Sequence, residues 1–123
     1  VRRLLEVRKH AGMMVPLPVQ AAAAAAWNDD EHVAVQRARY KARRDILGQA
    51  LTGASFRIDA SHAGLYLWAT REEPCWETVN WLAAHGILVA PGDFYGVAGD
   101  RHVRVALTAS DEAVGLAAAR LGM

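Results

Sequence analysis

Residues 86–110 read GILVAPGDFYGVAGDRHVRVALTAS. A first apolar run, Ile87 to Ala90, breaks at Pro91-Gly92 and passes through a loop. A second run, His102 to Thr108, follows it. Alternation around Arg104 marks this second run as a strand, with Val103 and Val105 on one face and Arg104 on the other. A guanidinium keeps its charge, so on its own face it must be paired or wet. Its natural planar partner is a carboxylate, held by two parallel hydrogen bonds. That carboxylate is either an aspartate or glutamate of the chain or part of a ligand. The adjacent loop favours the ligand. APGDFYGVAG holds three glycines and one proline in ten residues, with Phe94 and Tyr95 between them. Glycines let backbone approach a small molecule closely, and the aromatic rings offer walls.

Working outward, Ser110 is placed to cap a final helix with Asp111 and Glu112 in its first turn and Val114, Leu116 and Leu121 as packing residues. Upstream, Ile87 to Ala90 reads as a short strand. Before it, Glu73-Pro74 opens a helix that Gly86 closes, with Trp76, Val79, Leu82 and Ala83 on its buried face. GLYLWAT (64–70) is a strong strand and SFRID (55–59) a half-buried one. A long helix from about Glu31 to Leu51 precedes them, capped through Asn28 to Asp30 and ended by Gly53. Val33, Tyr40, Leu47 and Leu51 recur along it at helical spacing, and Arg37 and Arg44 share the stripe, their stems covering apolar surface while their charges reach water. Residues 1–10 form a short basic helix stopped at Gly12. The two prolines of MMVPLPVQ then make an extended entry, with Pro18 as first residue of a helix through the six alanines Ala21–Ala26. The order predicts an α+β fold: a small, mostly antiparallel sheet with helices packed on one face, preceded by a long helix.

The bulk numbers narrow the function classes. The 123 residues suffice for one modest core, and 53% hydrophobic with 22% charged residues is ordinary globular composition. A net charge of +1 provides no global field for nucleic acid or membrane. The basic run QRARYKARR is read as a solvated helix face, since no second recognition helix follows it. No apolar run approaches the ~20 residues that span a bilayer, and the first ten residues lack the pattern of a signal peptide. A single cysteine, Cys75, fits a reducing cytoplasm and reads as a buried structural thiol. The five histidines lack metal-ligand spacing, so no metal is expected; His85 reads as a helix C-terminal cap. Phosphate-binding glycine loops and the GxSxG elbow are missing from the sequence, and no repeat is visible.

These residues resemble a known family. G-I-L-V-x-P-G-x-x-F/Y-G at 86–96 followed by H-V-R-V-A-L at 102–107 is similar to the C-terminal end of class I/II pyridoxal-phosphate aminotransferases of fold type I. The likeness extends through P-V-Q-A-A (18–22), R-x-x-Y-x-x-R-R-x-x-L (Arg37, Tyr40, Arg43, Arg44, Leu47) and G-x-Y-L-W (Gly64, Tyr66, Leu67, Trp68). Within the family, CWETVNWLAAHGILVAPGDFYG (75–96) looks most like the actinobacterial N-succinyldiaminopimelate aminotransferases.

The resemblance implies that Arg104 grips the substrate's α-carboxylate, orienting the amino acid or 2-oxo acid, while Gly92 and Phe94 shape the wall beside it. It also implies a homodimer in which the Met13–Pro16 segment, Met14 and Pro16 in particular, lies near the neighbouring subunit's active site. The family's Schiff-base lysine, its pyridine-nitrogen aspartate and its phosphate cup have no match here. Lys9 and Lys41 are the only lysines, and neither stands in the family's S-K context. The expectation is therefore that residues 1–27 are bridging helices left from a large cofactor domain and 28–123 the C-terminal small domain. Catalytic and pyridoxal-phosphate-binding residues would lie upstream of Val1, and the chain would be inactive alone. The implied activity is N-succinyldiaminopimelate:2-oxoglutarate amino transfer in lysine biosynthesis, in the cytoplasm. A non-enzymatic small-ligand or protein-interaction module reusing the fold is the alternative, since a fold does not by itself settle a function.

Overall fold

A computed structural model describes residues 1–122. Its elements are α1 (Arg2–His10), α2 (Leu17–Trp27), α3 (Asp30–Gly53), β1 (Arg57–Asp59), β2 (Tyr66–Thr70), α4 (Cys75–Ala84), β3 (Ala90–Pro91), β4 (His102–Ala106) and α5 (Asp111–Leu121). The expected order of helices and strands is the one observed. Contacts divide the chain into two units, Val1–Gln36 and Arg37–Met123.

The second unit holds the core. Its four strands form one sheet in the order β1-β2-β4-β3, every neighbour antiparallel. The alternation read around Arg104 is realised: Val103 and Val105 are buried on one face, opposite Ala69 and Leu67 of β2. Leu47 and Leu51 of α3, Val79 and Leu82 of α4, and Val114 and Leu121 of α5 close over that face. Burying a leucine or valine side chain in this way contributes about 1.5–3 kcal/mol each. Among the described residues, no helix is long and apolar enough to cross a membrane.

Helix ends follow local chemistry. Asp29 Oδ1 accepts hydrogen bonds from the Glu31 and His32 amides and starts α3. Ser110 Oγ accepts from the Ala113 amide at 3.2 Å and starts α5 as expected. Gly86, at φ +69°, ends α4: its amide donates to the Ala83 carbonyl and that of Ile87 to the Leu82 carbonyl. This paired closure needs a left-handed residue, which glycine adopts freely. His85 Nδ1 lies 2.8 Å from the Trp81 carbonyl, the capping role read for it.

Several expectations need correction. Gly53 is the last helical residue of α3, and Ser55, at φ +67°, takes the left-handed position beyond it. Leu17, not Pro18, is the first residue of α2, which suits proline as well because the first turn has no intrahelical acceptor for its amide. The strand expected over Ile87 to Ala90 pairs only at Ala90–Pro91, because the Ile87 amide is already committed to closing α4. Val33, Ala83 and Leu116 are exposed, so helical spacing overstated three buried stripes. Arg37 is exposed, and Arg44 donates not to water but to the carbonyls of Ser61 and Gly64. Arg43 is the arginine that enters the core edge, donating to Asp111 and the Leu107 carbonyl. In the first unit, by contrast, no residue between Val1 and Gln36 is buried.

Candidate functional site

The sheet face opposite the core carries Tyr66 and Trp68 from β2 and His102 and Arg104 from β4. Antiparallel register sets Trp68 directly across from Arg104, and Ala90 flanks Arg104 on the other side. Among the described residues, no carboxylate pairs with Arg104, and its Nε is buried without a hydrogen-bond partner. Its guanidinium carbon lies instead 4.2 Å from the ring centroid of Tyr66 and 5.2 Å from that of Tyr95. Such cation–π contacts at a partly exposed site are worth about 0.5–1 kcal/mol each and hold a guanidinium in place. Arg104 thus lies against two phenol rings, and its forked donors are of a kind that can pair with a planar anion. Of these two tyrosines, Tyr95 was legible as an aromatic wall in the loop. Tyr66 was missed, and its position two residues before Trp68 on the paired strand is the signal that could have found it.

Residues 92–99 form two short 3-10 turns, Gly92–Tyr95 and Val97–Gly99. Gly92 is buried beneath Trp68 and against the backbone of Gly99 and His102. Phe94 is 68% exposed and meets Trp76 edge-on at 5.9 Å. Trp76 was expected in the buried face of α4, yet it stands 48% exposed over the loop. Trp68 contacts Tyr95 edge-on at 5.8 Å and stacks on His102 at 5.1 Å with 7° between the rings.

Beyond Trp68, His102 Nε2–H donates to Asp59 Oδ2 at 3.0 Å, and the Arg57 guanidinium donates to both Asp59 oxygens. The Arg57 bonds first, and the His102 bond second, hold the Asp59 carboxyl well below the usual carboxylate range. A carboxyl whose pKa is depressed by folding stabilises the fold above its unfolded value, about 3.9, and the contribution is lost as pH falls through the folded value. Replacing Asp59→Asn should therefore lower the melting temperature at neutral pH. The two proteins should converge as the pH drops below about 4. A melting-temperature difference that does not shrink on acidification would show that Asp59 acts by packing rather than by charge.

Lys41 is bound to Asp45 at 2.7 Å on an exposed helix face, and Lys9 lies 3.6 Å from Glu6 on another. Cys75 is buried and free. No group of three or more potential metal ligands occurs among the described residues. Met14 and Pro16 are exposed in the Val1–Gln36 unit. What the second unit offers is a cation held against two aromatic rings beside a glycine-containing loop.

The sequence profile described as aminotransferase class I and II matches residues 4–121. The chain belongs to this family. A probable aminotransferase of Mycobacterium tuberculosis is 64% identical over 98% of the chain, which spans 29% of that relative. The 4-dedimethylamino-4-oxo-anhydrotetracycline transaminase OxyQ of Streptomyces rimosus is 61% identical over 98% of the chain, which spans 34% of it. An LL-diaminopimelate aminotransferase of Dehalococcoides mccartyi is 34% identical over 87% of the chain and 29% of its own length. Among solved structures, an aminotransferase from Staphylococcus aureus superposes with a TM-score of 0.79 at 28% identity, over 95% of this chain and 32% of that one. The chain therefore spans about a third of the length of these aminotransferases.

Proposed function

We propose that residues 28–123 are the C-terminal small domain of a pyridoxal-phosphate-dependent aminotransferase, with 1–27 bridging to a large cofactor domain. The enzyme transfers the amino group of N-succinyldiaminopimelate to 2-oxoglutarate in the cytoplasm. The observation that carries this reading is the unneutralised Arg104 held between Tyr66 and Tyr95. Both substrates of this amino transfer bear a carboxylate on the reacting carbon itself, and one bidentate guanidinium serves both in turn. Fixing that carboxylate sets the orientation of the reacting carbon, which is how a residue without proton-transfer chemistry contributes to rate. Gly92 and Phe94 form the loop wall beside it. The cofactor supplies the electron sink from residues outside this chain, so the isolated chain is inactive.

A homodimer in which Met14 and Pro16 approach the neighbouring active site agrees with the exposed apolar side chains of the first unit, including Leu4, Leu17 and Trp27. The succinylated substrate rests on the likeness over residues 75–96, with support from the diaminopimelate aminotransferase relatives. The test is to produce the complete reading frame containing these residues, load it with pyridoxal phosphate and follow glutamate formation from 2-oxoglutarate. N-succinyl-LL-diaminopimelate should be used at least about tenfold more efficiently than unacylated LL-diaminopimelate. Preference for the free diamine, or turnover only with an oxo-anhydrotetracycline acceptor, would replace the substrate while leaving the Arg104 role to be judged by its own variants.

A further inference from the structure

α4 spends a tryptophan where its periodicity asked for a core residue. Trp76 turns away from the core, and its indole Nε1–H donates to Asp93 Oδ2 at 2.7 Å. Its ring also meets Phe94 edge-on. One residue earlier, the Cys75 amide donates to the Asp100 carbonyl at 2.7 Å. The first turn of α4 thus grips the 92–100 loop at two places, near its start and at its end. Between these grips Tyr95 meets Trp68 edge-on and Gly99 is buried against Gly92, while Gly96 has open space around it and Val97 is 88% exposed. Tyr95 follows directly after the two residues that Trp76 holds, and it is the loop's contribution to the Arg104 cage.

We propose that Trp76 is a positioning residue for substrate binding. Through Asp93 and Phe94 it fixes the loop so that Tyr95 stays against the Arg104 guanidinium. The free edge of the arginine is then presented to the incoming carboxylate in one orientation. This rests on the reading of Arg104 as the carboxylate ligand. It adds a determinant that touches neither substrate nor Arg104 and lies on a different element. Loss of the latch leaves the cation in place but lets its aromatic cover move, so the cost falls on binding before it falls on turnover.

The test uses the full-length, cofactor-loaded enzyme. Trp76→Ala should raise KM about fivefold for both the amino donor and 2-oxoglutarate, with kcat changed less than about twofold, the scale of one lost hydrogen bond and one ring contact. Trp76→Phe should recover part of the loss by keeping the contact with Phe94. Asp93→Asn, which keeps a side-chain acceptor, should stay near the parent KM. In an Arg104→Lys background, Trp76→Ala should add less than about twofold, because residues acting through one contact are not additive. A folded Trp76→Ala enzyme with the parent KM, or full additivity with Arg104→Lys, overturns the inference. If Trp76→Ala fails to fold, Asp93→Ala decides by the same KM and additivity criteria. An Arg104→Lys enzyme with the parent KM fails one step earlier, and removes the carboxylate reading itself.

Discussion

In the full-length enzyme, Arg104→Ala should lower kcat/KM for both the amino donor and the 2-oxo acid by about a hundredfold to a thousandfold, the scale of a lost bidentate charged contact in a closed site. The fall should be similar for the two partners, because the carboxylate is their shared group. Arg104→Lys should recover little, since an ammonium cannot reproduce two parallel donors and does not stack between Tyr66 and Tyr95 in the same way. Stability should change far less than activity. Arg104 points away from Val103 and Val105, and nothing in the core loses a partner when its side chain is removed. The stability term at stake is its contact with two rings, about 1–2 kcal/mol. Steady-state kinetics beside a thermal melt separates the two effects. An Arg104→Ala enzyme with parent kinetics, or one that loses activity only in proportion to unfolding, would end the assignment of this residue to the substrate.

Much of the fold was legible because two periodicities rarely compete in this chain. Val103-Arg104-Val105 could only be a strand with two different faces, and Ser110 with Asp111 and Glu112 could only begin a helix. The order of elements followed from reading such signals one after another. What escaped was set by contacts between distant segments. Val33 and Leu116 keep helical spacing with buried residues, yet each is 52% exposed. Trp76 has the spacing of a core residue, yet its indole N–H needs an acceptor, and Asp93 supplies one at the surface. Arg43 and Arg44 are adjacent and chemically alike. Asp111 and the Leu107 carbonyl draw the first into the core edge, while loop carbonyls take the second. The site divides in the same way. Alternation placed Arg104 on the open face, and the loop composition pointed to a ligand. That Tyr66 rather than an acid would meet the guanidinium depended on register between β2 and β4, which turn residues alone do not encode.

Gly92→Ala should be among the most damaging single-methyl substitutions in the second unit. Gly92 does not owe its identity to a left-handed backbone, since its φ is not among the positive ones. Space decides it. A Cβ there would fall inside the contact distance of the Gly99 carbonyl oxygen, 2.5 Å from the His102 carbonyl oxygen and 3.0 Å from the Trp68 ring. Two of the three obstacles are backbone, one of them belonging to strand β4, so a rotamer change cannot clear them. The loop would have to lift off the sheet, and overpacking of this sort costs about 1–3 kcal/mol or more. Lifting the loop also moves Tyr95 away from Arg104, so the surviving folded enzyme should show a raised KM for carboxylate substrates. Gly96→Ala provides the contrast: φ is +110° there, but nothing surrounds the added methyl. Its cost is therefore local backbone strain of about 1–3 kcal/mol, with no forced movement beneath Trp68. Urea unfolding of both variants, with KM measured on each, distinguishes crowding from strain. If Gly92→Ala kept parent stability and parent KM, the loop would not be seated under Trp68, and Tyr95 would have no fixed place over the arginine.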